Sequence, residues 1–226
     1  MTPFLATVMA LGGLAAVESL WHGVMQLSAD FVLLLVFACV AAPHTLDLGH
    51  NARISTLQPF ILAAIVLYGV KEAMILSAVS LAYFWLVSRP RLSIVKGMFN
   101  LSNFILASWI AGHAYYGVGG RRGDVGSPES LLAMLLAVTV FFAVNTGLVS
   151  VAAGLEKAIS PSRVWYEKYS WTFTSHLAGG SLVILIGMLR SSLGAQVFFL
   201  TAPFCILVYH YLKVYFRESS QHAHRT

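Results

Sequence analysis

Eight apolar segments follow one another along the chain, joined by short polar loops, with Lys and Arg gathered in alternate loops. For a chain patterned this way the bilayer interior is the solvent that most side chains fit. Backbone groups in lipid must bond within the protein, so segments of this length are expected to cross as α-helices. The expected fold is therefore all-α: a polytopic transmembrane helix bundle of about eight spans, the third and fourth short, with no soluble domain. Only 10% of the residues are charged, against about 25% in a soluble domain. In this reading residues 1–217 form the integral membrane bundle and 218–226 a polar cytoplasmic tail.

The spans run from Phe4 to Met25, Asp30 to Ala42, Leu57 to Gly69, Ala73 to Val87, Gly97 to Tyr116, Glu129 to Gly154, Tyr169 to Leu189 and Gly194 to Phe216. Pro43 ends the second. Lys71 and Glu72 separate the third from the fourth. These two are either short tilted crossings or a hairpin that turns within the bilayer, shielded by protein. The first segment lacks a basic start and a small-residue cleavage site, so it reads as a retained span and not a signal peptide.

Charge orients the bundle. With both termini cytoplasmic, the inner loops and tail hold Arg53, Arg89, Arg91, Lys96, Lys157, Arg163, Lys168, Lys213, Arg217 and Arg225. The outer side holds Lys71, Arg121, Arg122 and Arg190. That division, ten against four of the fourteen basic residues, follows the positive-inside rule. It also accounts for the formal charge of +5 without nucleic acid, which is excluded as a partner. The lipid bilayer is the expected one.

Ionisable and amide side chains inside spans are costly and need partners. Glu18, His22 and Gln26 are spaced by four and share a helix face. By orientation they lie toward the outer side, as do Lys71, Glu72 and His113. Glu18, His22, Lys71, Glu72 and His113 thus form a candidate outer pocket. Two readings stay open for it: a structural lock, or a site for a ligand, an ion or a proton. A second group, Asn100, Asn103, Asn145 and His176, lies toward the inner side and reads as interhelical hydrogen bonding.

Catalytic chemistry finds little support. There is no GxSxG, no HExxH and no Cys/His pair in context. Cys39 and Cys205 sit in apolar segments without CxxC spacing. His113 and His176 fall at different depths, which argues against haem. Glu18 and His22 supply only two metal ligands. The sequence names no cofactor, and an enzyme is not expected.

From Gly69 to Arg91, and on through GMFNLSNFILASWIAG (Gly97–Gly112), a pattern becomes recognisable. A Gly-containing apolar hairpin (LYGVKEAMILSAVS) is followed by a basic loop and by Phe99-Asn100 opening the fifth span. Then come Asn145 in the sixth (AVNTGLV), a loop with Trp165, and a final Pro-containing span (TAPFCILVYHY). Over residues 30–217 the chain resembles the MASE-type multi-span sensor regions at the N-terminus of bacterial GGDEF and HD-GYP cyclic-di-GMP signalling proteins. The resemblance implies a sensor in the bacterial inner membrane whose last helix leads to an output domain. No GGDEF, HD or kinase motif occurs here, which leaves a free-standing sensor-like subunit or a piece of a longer protein.

The expected function is a non-catalytic membrane sensor or accessory subunit. Its bundle would bind a small or lipidic signal and relay it through the C-terminal helix to a protein partner or a second copy. Two alternatives stand beside it. The short, Gly-broken spans are similar to those of substrate-binding components of energy-coupling-factor transporters. A purely structural subunit of a larger membrane complex is the other.

Overall fold

In a computed structural model the described residues are 2–21, 28–47, 53–87, 93–194 and 196–201. The eight helices with full bounds are α1 (Thr2–Trp21), α2 (Ala29–Ala41), α3 (Gln58–Leu67), α4 (Val70–Val87), α5 (Ile94–Gly117), α6 (Pro128–Lys157), α7 (Pro161–Lys168) and α8 (Phe173–Leu193). A 3-10 turn at Ser170–Thr172 leads into α8. Between α2 and α3 lies a small antiparallel ribbon, β1 (Thr45–Asp47) with β2 (Arg53–Ser55), in the register Thr45 to Ser55. Sequence patterning does not anticipate this ribbon, because three-residue strands are too short to show alternation.

Five helical stretches are long and apolar enough to cross a membrane: Thr2–Ser19, Val70–Val87, Ile94–Gly117, Pro128–Lys157 and Ser170–Leu193. α2 and α3 are shorter apolar helices. Of the expected eighth span only 196–201 falls within the described residues, and these are helical. The tail, His22 and most of the loop carrying Arg89 and Arg91 lie outside them.

Local chemistry sets the helix ends. The hydroxyls of Ser28, Ser93 and Ser127 accept the backbone N–H of Phe31, Lys96 and Ser130, capping α2, α5 and α6. Pro128 and Pro161 occupy first-turn positions, where a missing N–H costs nothing. α7 is a short helix inside a segment expected to be a loop.

The helices alternate in direction, as their ion pairs show. Lys96 at the start of α5 meets Glu156 at the end of α6 at 2.9 Å. At the other end Glu72, in the first turn of α4, meets Arg122 just after α5 at 3.1 Å. Asp30 at the start of α2 meets Arg190 near the end of α8 at 2.8 Å. The described residues thus form a Lys96 end and an Arg122 end.

α5 packs between α1, α4 and α6, and α3 lies among α2, α4, α5 and α8. Every residue of α3 is buried except Pro59 and Phe60, which are half-buried. Ten residues of helix rise about 15 Å, half of a hydrocarbon core of about 30 Å. α3 is therefore a short helix enclosed by protein, the setting in which a broken span is tolerated. It runs alongside α8: Gln58 at its start donates to the His176 carbonyl at 3.1 Å, and Tyr68 just past its end lies under Arg190. The approach is close because Gly179 faces Gln58, where a Cβ would sit 2.7 Å from Oε1.

The break between the third and fourth segments falls at Tyr68–Gly69, and Lys71 and Glu72 belong to the first turn of α4. Gly69 adopts φ +127°, a backbone open to glycine and strained for L side chains. Its N–H and that of Tyr68 both donate to Ala64 O, at 2.9 and 3.0 Å.

Candidate functional site

The Arg122 end is assembled around the last turn of α3, whose carbonyls have no partner within their own helix. The Tyr116 hydroxyl donates to Ile65 O at 2.6 Å. The N–H of Gly123 donates to Val66 O at 2.8 Å. The loop 118–127 is thereby stitched onto a helix more than fifty positions earlier. Arg122 leaves this loop to reach Glu72, a carboxylate only 7% exposed. Glu72 Oε2 lies 2.9 Å from where a Cβ would stand on Gly69, so the glycine also makes room for the carboxylate.

Asp124 organises the same loop. Its carboxylate accepts from the Ser127 hydroxyl at 2.6 Å, the N–H groups of Gly126 and Ser127, and the Ser130 hydroxyl at 3.2 Å. These donors, the Ser127 hydroxyl foremost, hold its pKa down at about 2. Arg121 O and Asp124 O both lie 3.1 Å from the buried Tyr115 hydroxyl, which donates to them.

Glu18 and His113 form a neighbouring group on α1 and α5. The Trp109 indole N–H donates to Glu18 Oε2 at 3.0 Å. His113 Nδ1 lies 2.8 Å from Trp109 O, with the two rings 4.5 Å apart. Of the five outer residues, then, Glu18 and His113 share Trp109, whereas Glu72 is held separately by Arg122. Lys71 enters no ion pair with a described residue, and His22 lies outside those residues.

A third feature of this end was not singled out from sequence. The Arg190 guanidinium, bonded to Asp30, sits 5.3 Å from the centre of the Tyr68 ring, and Phe31 meets that ring edge-on at 5.4 Å. Two opposite charges placed by orientation at the same end of the bundle, Asp30 and Arg190, are the only signal the sequence offers for it.

Toward the Lys96 end, Asn103 and Asn145 join α5 to α6. The Asn103 amide donates to Asn145 Oδ1 at 2.7 Å and reaches Asn145 O at 3.3 Å. Asn103 is wholly buried. His176 is separate: its Nδ1 lies 3.0 Å from Thr172 O, and its ring meets Phe142 at 5.0 Å. Phe142 also packs on Trp165 and Phe173, while the Trp165 indole donates to Thr146 Oγ1 at 2.9 Å. Asn100 is half-buried at the same end. Among the described residues no three His, Cys, Asp or Glu side chains gather as a metal-holding group.

No curated protein and no solved structure matches the chain. A family model does: MASE9, one of the MASE families of membrane-associated sensor domains, over residues 17–217. That stretch takes in every described helix from the end of α1 onward, and the chain belongs to the MASE9 family.

Proposed function

We propose that this chain is a non-catalytic sensory bundle of the bacterial inner membrane. It receives a small or lipidic signal at its Arg122 end and relays it through the helix that follows α8 to a protein partner or a second copy. The Lys96 end faces the cytoplasm in this reading, in accord with the charge division. Membership of MASE9 over residues 17–217 carries the proposal.

The architecture supports it. The enclosed helix α3 touches both ends of α8: Gln58 bonds to the His176 carbonyl and Tyr68 lies under Arg190. A ligand that prefers one packing of α3 over another would therefore also bias α8. Glu72 and Arg122 sit where α3, α4 and the 118–127 loop meet, so a ligand there would act on the hinge of that packing.

Native mass spectrometry of the protein released gently from its own membrane tests this reading. A small molecule or lipid retained in stoichiometric amount, with its loss altering backbone exchange in α8, is the expected result. A chain held in fixed stoichiometry with other polypeptides, carrying no small molecule and giving an unchanged exchange pattern, would establish a structural subunit instead.

A further inference from the structure

Two residues in contact at the Arg122 end each carry a buried polar atom without a hydrogen-bond partner among the described residues: the Tyr68 hydroxyl and Arg190 Nε. Burying a donor without a partner is costly, and native interiors hold few such groups. Here two occur on residues in direct contact, since the Arg190 guanidinium lies over the Tyr68 ring. Tyr68 is 6% exposed, so bulk solvent does not serve its hydroxyl.

The chemistry of the pair limits the ligand. A guanidinium N–H only donates, and a phenol donates well; what suits both is an acceptor. The Arg190 charge is already matched by Asp30 at 2.8 Å, so a second anion would meet the Asp30 carboxylate with no free cation to offset it. An uncharged acceptor carries no such penalty. The surroundings are apolar: Phe31 stands against the Tyr68 ring, and Val32 and Leu189, next to the ion-pair segments, are 44% and 38% exposed at the bundle surface. In a membrane that surface faces lipid, the side from which a molecule dissolved in the bilayer would arrive.

We infer that Tyr68 and Arg190, with Asp30 fixing the guanidinium, form a binding site for the uncharged carbonyl of a membrane-dissolved molecule. The shared chemistry is a carbonyl oxygen on an apolar body, as in the ester of a glycerolipid or the head of a quinone. This deepens the sensory reading and rests on it, because the site lies where α2, α3 and α8 converge. Binding is measured here on the bundle alone. Failure would therefore remove this site and leave sensing of another ligand standing, whereas failure of the relay would leave the site.

The test uses the full chain in nanodiscs of three compositions: dialkyl-ether phosphatidylcholine, which has no ester carbonyl; diacyl phosphatidylcholine; and the ether lipid doped with decylubiquinone. The wild-type protein is expected to melt about 4 °C higher in whichever carbonyl-bearing disc holds the ligand than in the ether disc. That comparison tells ester from quinone. Tyr68→Phe keeps the ring against Phe31 and Arg190 and removes only the hydroxyl. It is expected to abolish the difference while melting no lower than wild type in the ether disc. Arg190→Lys, which keeps the charge opposite Asp30 and loses Nε, is expected to shrink the difference as well. Equal melting of the wild type in all three discs, or a difference that Tyr68→Phe leaves intact, would overturn the site and mark the two atoms as served by water alone.

Discussion

Glu72 and Asn103 show how a single buried polar residue is made tolerable in a bundle of this kind. Each depends on one neighbour from a distant segment, Arg122 and Asn145. Arg122 is 54% exposed along its side chain, so the ion pair itself contributes little; the larger cost of losing it is a nearly buried carboxylate left alone. Arg122→Ala is expected to destabilise the bundle by about 1–2 kcal/mol, and Glu72→Gln in the same background to recover part of it, as read from thermal melting in detergent. Asn145→Ala removes the Asn103 amide's side-chain acceptor and should cost about 1–2 kcal/mol. Replacing both residues with Leu should cost less than that single change, because no orphaned amide remains. Asp124 titrates in an accessible range. Its pKa lies below the ordinary 3.8, at about 2, so its contribution is complete above pH 3.8 and is lost as pH falls through about 2. Backbone exchange in 118–127 should accelerate over that window, whereas Asp124→Asn should show the fast pattern already at neutral pH.

The elements divide into those the sequence displays and those it conceals. α1, α5, α6 and α8 are long apolar stretches, legible as such because burial in lipid demands length and composition together; the fourth segment was expected to be short, whereas α4 reaches crossing length because Val70, Lys71 and Glu72 belong to its first turn. α3 was legible as unusually short, but its enclosure was not: nothing in an apolar run says whether lipid or protein surrounds it. α7 was missed because eight amphipathic residues around Trp165 read as a loop. Partners at the site were hidden for a related reason. Trp109 reads as an interfacial aromatic until α1 places Glu18 against it, and the Arg122 loop reads as solvated until Tyr116 and Gly123 tie it to α3. Gly12 and Gly13 look equivalent in sequence, yet a Cβ on Gly12 would lie 2.7 Å from Ser102 Cβ and 2.9 Å from its Cα, whereas Gly13 meets nothing within 4 Å. Gly12→Ala is expected to force α1 off α5 at about 1–3 kcal/mol. Gly13→Ala should be neutral or stabilise by up to about 1 kcal/mol. Parallel melts of the two variants check the α1–α5 interface.

At the scale of the whole molecule, the bundle joins two polar ends through one enclosed helix. Tyr68 and Gln58 bracket α3, and each touches α8, at Arg190 and at the His176 carbonyl. A shift of α3 thus bears on both ends of α8 together, and coupling of this kind needs a ligand that distinguishes two packings. The measurement that bears most directly on the sensory account is hydrogen–deuterium exchange of the full chain in nanodiscs, with and without the small molecule or lipid that the account expects to co-purify. The account predicts altered protection in the Tyr68–Gly69 break and also at the far end, in α7 and the first turns of α8. Exchange that changes only beside the bound molecule, with α7 and the start of α8 unaffected, would contradict it.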